Sequence, residues 1–204
     1  MRVCVAGLGY IGLPTALAIS AGGLEVIGVD LNTDLVDSLK KGFLPFKEKG
    51  LPELFERAVK AGVSFASIYA PAEVYIIAVP TPYDSRYKKI NTKYIEGAVA
   101  SVCKVCPKGA IIAVESTVSP GSMDRAVRPV IEEAGLVIGS DVHIAHVPER
   151  IIPGNMLYEL EHNSRTIGVE NAEAGEKLKQ VYSSFCKGEM VVTDIKVEKN
   201  DKGS

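Results

Sequence analysis

Gly7-Leu8-Gly9-Tyr10-Ile11-Gly12 joins a short apolar run, Arg2-Val3-Cys4-Val5-Ala6, to the stretch 11–21, which is rich in Ala, Leu and Ile. A second apolar run, Leu24-Glu25-Val26-Ile27-Gly28-Val29, follows and ends in Asp30. A Gly-x-Gly-x-x-Gly turn between a strand and a helix suits a pyrophosphate. The first glycine allows the tight turn, the second lets the main chain approach with no side chain in the way, and the third lets helix and sheet close up. The helix start adds free N–H groups and the positive end of its dipole. Small residues at such turns also serve packing alone, so the acid ending the second strand carries weight. Asp30 can accept hydrogen bonds from the adenosine ribose hydroxyls and repels a 2′-phosphate. Leu31-Asn32-Thr33 contain no Arg to hold such a phosphate, so NAD is favoured over NADP. The plain alternative for Asp30 is a solvated acid at a strand end.

Three further segments carry hydroxyls or charges just after apolar runs: Val79-Pro80-Thr81-Pro82, Glu115-Ser116-Thr117-Val118 and Pro148-Glu149-Arg150. In an open parallel sheet, ligands lie beyond the carboxyl ends of the strands. These segments therefore fall where the nicotinamide half of the cofactor, or a substrate, would lie. Thr117 and Glu149 at adjacent strand ends can orient and deprotonate a water if they come within hydrogen-bond reach. The plain alternatives are a helix-capping or turn residue for Thr117, a surface or salt-bridged acid for Glu149, and a structural ion pair for Arg150.

The elements that must position these residues alternate along the chain. Strands are expected at 2–6, 24–30, 63–66, 74–79, 110–114, 141–146, 165–169 and 189–193. Helices are expected at 11–21, 33–41, 52–61, 92–103, 172–185 and from just after Gly121 to about 134. The pattern predicts an α/β fold: a Rossmann-like, doubly wound, mostly parallel sheet with helices on both faces. One domain is expected over 1–195. Residues 196–204 read as a polar tail whose Gly-Ser finish resembles an added end.

With 204 residues, 47% of them hydrophobic, the chain can bury one good core. A formal net charge of −2, with no basic run interleaved with aromatics, argues against nucleic acid or an anionic membrane as partner. No signal-peptide pattern and no apolar run of about 20 residues is present, which predicts a cytoplasmic protein. Cys103 and Cys106 form a Cys-x-x-Cys pair, but a structural zinc site needs two more ligands, and a redox pair belongs at a helix start rather than before Pro107. His143 and His146 alternate to opposite faces of an expected strand. No metal is expected.

Taken in order, Gly7-Leu-Gly-Tyr-Ile-Gly-Leu-Pro14, Val79-Pro-Thr-Pro82, Glu115-Ser-Thr-Val118 and Pro148-Glu-Arg-Ile-Ile-Pro-Gly154 resemble the N-terminal domain of the UDP-glucose/GDP-mannose dehydrogenase family. The resemblance runs from Met1 to about Ile195. Its Glu-Arg-Ile-Ile-Pro-Gly form is similar to the branch acting on UDP-N-acetylmannosamine and related UDP-acetamidosugars. It implies an NAD-dependent, four-electron oxidation of the sugar C6 alcohol to a carboxylate. It also implies that Gly7, Gly9, Gly12, Tyr10, Ile11, Asp30, Val79, Pro80 and Thr81 line the NAD site, with Thr117 near the nicotinamide. Glu149 would be the acid of the hydrolytic half-reaction, and with Arg150 and Ile151 would meet the UDP-sugar substrate.

Members of the family run to roughly twice this length, and their central helix and C-terminal part supply a catalytic Lys, an Asn and the Cys nucleophile. None of Cys4, Cys103, Cys106 or Cys186 lies in a matching motif. The chain alone is therefore expected to bind NAD without turning over. The family is usually homodimeric through the same central region, which leaves the state of this chain open, a monomer included. A short NAD-sensing or docking module is the second reading. A β-hydroxyacid dehydrogenase is a third, opposed by the Val-Pro-Thr-Pro and Pro-Glu-Arg-x-x-Pro-Gly loops.

Overall fold

The structure is a computed structural model that describes residues 1–84, 89–119, 121–149, 151 and 154–195. Strands Arg2–Ala6 (β1), Glu25–Val29 (β2), Ser64–Ala66 (β3) and Val74–Ile77 (β4) belong to the main sheet, and Tyr83–Asp84 (β5) pairs with Lys89–Ile90 (β6) in a separate antiparallel piece. Ala110–Val114 (β7), Val142–His146 (β8), Arg165–Val169 (β9) and Met190–Asp194 (β10) complete the main sheet, in the order β10-β9-β8-β7-β4-β1-β2-β3. All its neighbours run parallel except β8 and β9.

The central strands read as unbroken apolar runs because both faces are covered. Every residue of β4 and β7 is buried. Alternation along β1 sends Val3 and Val5 into one core and Cys4 and Ala6 into the other. The first core receives the helices Gly12–Ala21 (α1), Thr33–Lys40 (α2) and Leu51–Ala61 (α3), through residues such as Leu17, Val36 and Leu54. The second receives Lys93–Cys103 (α4) and Arg128–Glu133 (α5), through Val99 and Ile131. Met156–His162 (α6) and Ala172–Ser183 (α7) return to the first core with Leu160, Leu178 and Val181. Helix α1 is buried along Gly12–Ser20, as a helix apolar on all sides must be.

The doubly wound, mostly parallel fold is the one the sequence predicts. Three features lie outside that reading. Helix α6 has only seven residues and no side-chain cap at Asn155, so neither periodicity nor a start signal marks it. The β5–β6 piece has two-residue strands, too short for alternation. Met123–Val127 is π-helical and leads into α5, a winding that does not follow the 3.6-residue period. The expected strand 74–79 also ends early, at Ile77. Ala78 still donates to the Ala6 carbonyl (2.8 Å), but Pro80 has no N–H to continue the ladder.

Candidate functional site

β8, β7, β4 and β1 are consecutive neighbours in the sheet, so the four segments singled out by their chemistry share one continuous carboxyl edge. The three glycines of the turn after β1 are required for three different reasons. Gly7 has φ +91°, and a Cβ there would also sit 2.8 Å from the Ala78 carbonyl oxygen. A Cβ on Gly12 would collide with the Gly7 carbonyl oxygen, so this glycine closes the turn on itself as well as fitting against Ala78. A Cβ on Gly9 would meet nothing within 4 Å. Only at Gly9 does the missing side chain leave open space, the side from which a pyrophosphate can approach the main chain. No side chain caps the start of α1, which suits its N–H groups to an anion.

Asp30 is half-buried at the end of β2. Its Oδ2 accepts from the Leu8 N–H (2.8 Å) and its Oδ1 from the Asn32 N–H (2.9 Å). The carboxylate thus braces the glycine turn from below, and each oxygen keeps lone-pair capacity for ribose hydroxyls. Tyr10 donates its hydroxyl to Glu48 Oε2 (3.1 Å) and packs on Phe46 at 5.2 Å between ring centroids. Glu48 Oε1 accepts from the Met156 N–H at 3.4 Å, so one carboxylate links the turn to the start of α6. Ile11 lies half-buried beside Tyr10.

The remaining segments are stitched hydroxyl to carbonyl. Ser116 Oγ donates to the Val79 carbonyl (2.7 Å), Thr81 Oγ1 to the Thr117 carbonyl (3.1 Å) and Thr117 Oγ1 to the Glu149 carbonyl (3.1 Å). Val79, Pro80, Thr81 and Thr117 are therefore brought together with the main chain of Glu149. Thr117 is exposed, and with its proton committed its hydroxyl can only accept from a water or ligand. Ile151 is half-buried against the first core. Arg150 lies outside the described residues.

Beneath this edge the side chains of Glu115, Glu149 and Arg165 are 0%, 5% and 1% exposed. Arg165 Nη1 is 2.5 Å from Glu149 Oε2 and 3.5 Å from Glu115 Oε1. Glu149 is thus a buried, salt-bridged acid, the plainer of the two readings its sequence allows, at a strand end that also suits a substrate. Glu115 turns down into the sheet rather than out of the loop. Burial pushes its carboxyl up to about 7; Arg165 opposes that rise and Glu149 adds to it. Burial likewise holds the Tyr182 hydroxyl well above its ordinary value, with Glu115 next in effect. Sequence reasoning passed over Arg165. Its signal was a cation opening the strand Arg165-Thr-Ile-Gly-Val169, whose other members are uncharged.

The thiols offer no nucleophile to this edge. Cys4 lies within β1, its thiol pushed up to about 12 by burial, and burial holds Cys103, at the end of α4, at about 11. Cys186 Sγ donates to the Asn163 carbonyl. Among the described residues no group of three or more His, Cys, Asp or Glu is placed to hold a metal ion. No helix among them is long and apolar enough to cross a membrane.

Residues 1–186 match the family model described as the UDP-glucose/GDP-mannose dehydrogenase family, NAD binding domain. The UDP-N-acetyl-D-mannosamine dehydrogenase of Campylobacter jejuni is 36% identical over 98% of this chain and 51% of its own length. Among solved structures, the UDP-N-acetyl-mannosamine dehydrogenase Cap5O from Staphylococcus aureus superposes with a TM-score of 0.90 at 40% identity, covering 99% of this chain and 50% of that one. The GDP-mannose dehydrogenase of Pseudomonas aeruginosa gives a TM-score of 0.88 at 26% identity, covering 99% of this chain and 48% of that one. The chain spans about half the length of the relatives it matches. It belongs to the UDP-glucose/GDP-mannose dehydrogenase family, as the NAD-binding domain of that family.

Proposed function

We propose that this chain is the cofactor half of a UDP-N-acetylmannosamine 6-dehydrogenase, which oxidises the sugar C6 alcohol to a carboxylate with two NAD. The observation that carries the reading is the stitched edge itself. The hydroxyl–carbonyl bonds from Ser116, Thr81 and Thr117 fix three loops beside a glycine turn whose open side is at Gly9. In this reading Gly7, Gly9, Gly12, Tyr10 and Ile11 form the turn that receives the pyrophosphate, and Asp30 takes the adenosine ribose. Leu31, 78% exposed beside Asp30, offers an apolar surface to the adenine. Val79, Pro80, Thr81 and Thr117 flank the nicotinamide. Glu149 and Ile151 lie on the side that would receive the UDP-sugar, with Arg150 assigned to it by its sequence position alone.

When bound, NAD supplies the hydride acceptor. The chain's own residues orient what reacts: Thr117 presents an acceptor lone pair to a water, and the Glu149 carboxylate stands one strand end away to take its proton. Cys4 and Cys103 are held protonated by burial and Cys186 donates to the Asn163 carbonyl, which supports a chain that binds NAD without completing the oxidation, because the covalent step needs a nucleophile. Four free thiols suit a reducing cytoplasm.

Calorimetry with NAD and NADP tests the binding half. NAD is expected to bind and NADP to bind more weakly, with Asp30→Ala weakening NAD by about tenfold or more, as loss of charge-assisted hydrogen bonds predicts. An unchanged dissociation constant removes Asp30 from the site. Robust NADH production from UDP-N-acetylmannosamine by this chain alone would overturn its catalytic incompleteness.

A further inference from the structure

Arg165 owes its place to the one reversal of direction in the sheet. The first residue of a parallel strand lies at the amino edge, away from the ligands. β9 runs antiparallel to β8, with Ala145 opposite Val169 and His146 opposite Gly168. Continued outward by three residues, the same register sets Arg165 opposite Glu149, at the carboxyl edge. The guanidinium is held there from several sides. Nη2 donates to the Leu160 carbonyl (3.2 Å), and the guanidinium carbon lies 4.9 Å from the Tyr182 ring centroid and 5.4 Å from that of Phe185. Its second carboxylate, Glu115, accepts at Oε2 from Thr15 Oγ1 (3.3 Å). Thr15 stands on α1, the helix that leaves the glycine turn. One cation therefore connects the cofactor helix with the acid of the substrate side.

We propose that Arg165 is a positioning residue for the oxidation site, fixing the Glu149 carboxylate at the end of β8, with Glu115 and Thr15 tying it to the cofactor helix. The proposal rests on the reading of Glu149 given above. A glutamate has several rotatable bonds, and a carboxylate that takes a proton from water works only from one geometry. Nη1 faces both carboxylates while Nη2 is held by the Leu160 carbonyl, a two-point anchoring of the planar guanidinium that a lysine ammonium reproduces only in part. The two carboxylates are not equivalent: the cation is closer to Glu149. Burial raises the Glu115 carboxyl to about 7, so it is partly protonated near neutral pH. Among the described residues, the ionisable groups acting on Glu115 and Arg165 include each other, Glu149, Tyr182 and Cys186.

The test compares Arg165→Gln, Arg165→Lys and Glu149→Gln, by NAD calorimetry on this chain and by the pH dependence of kcat in the complete dehydrogenase. Arg165→Gln is expected to lower kcat by about tenfold or more while the NAD dissociation constant changes by less than about twofold. It should also displace the acid limb of the kcat profile to higher pH, because removing a neighbouring cation makes a carboxylate harder to ionise. Arg165→Lys should recover part of kcat and of the displacement, and it carries the test if Arg165→Gln does not fold. An unmoved profile in the Arg165 variants, or NAD affinity falling in step with kcat, overturns the positioning role in favour of a structural one. Wild-type turnover in Glu149→Gln would instead overturn the reading of Glu149 itself.

Discussion

At the end of β1 the site is made of main chain: a glycine turn, an uncapped helix start and one carboxylate bracing the turn from below. Four strands across the same edge, at β9, it is made of buried charged side chains. The first region works mainly through main-chain N–H groups, whose partial charges do not depend on pH, and its demands are largely steric. The second depends on a balance of one cation and two carboxylates held away from water, so its demands are electrostatic. Removing a methyl-sized space breaks the first. Removing a charge breaks the second.

The largest effect is expected from Arg165→Leu. It leaves two buried carboxylates without their cation, at a cost of about 3–5 kcal/mol in chemical denaturation. A loss under about 1 kcal/mol, the scale of an exposed pair, would show that the cluster is solvated in solution. Among the glycines, Gly12→Ala is expected to cost about 2 kcal/mol through overlap of the added Cβ with the Gly7 carbonyl oxygen, and to abolish NAD binding. Gly9→Ala should leave stability within about 0.5 kcal/mol, as for a substitution meeting no neighbour, yet weaken NAD by about tenfold. Equal behaviour of the two variants would contradict the distinct roles argued for them.

The pH response separates the regions again. The Glu115 carboxyl is near 7 in the folded chain against an ordinary 4.5, so between these values the native state holds more protons than the unfolded one. The cluster's contribution to stability should therefore fall as pH rises from about 4.5 to about 7, and Glu115→Gln should flatten that slope in denaturation curves. The smallest effect is expected at the seam between the regions. Thr117→Val loses one hydroxyl–carbonyl bond, about 1 kcal/mol, and Thr117→Ser should retain it in thermal melts.

How much of this was legible varies with the range of the interactions. The glycine turn, Asp30 and the strand-end positions of Val79–Pro82, Glu115–Val118 and Pro148–Glu149 follow from segments a few residues long. The downward turn of Glu115 does not, because an acid after an apolar strand looks the same whether it faces solvent or core. Nor does Glu48, which joins Tyr10 and Met156 from a loop whose sequence reads only as a connection.

The sequence by itself determined the order of the main-sheet strands and of the longer helices, the turn that can take a dinucleotide and the family to which the chain belongs, since apolar periodicity and turn chemistry are local. Only the tertiary structure decided that β9 runs backward, that Arg165 thereby reaches Glu149, and that Glu115 meets Thr15 across 100 residues of chain. The physical reason is that a strand reads alike in either direction, whereas where its first charge ends up depends on the neighbour with which it pairs.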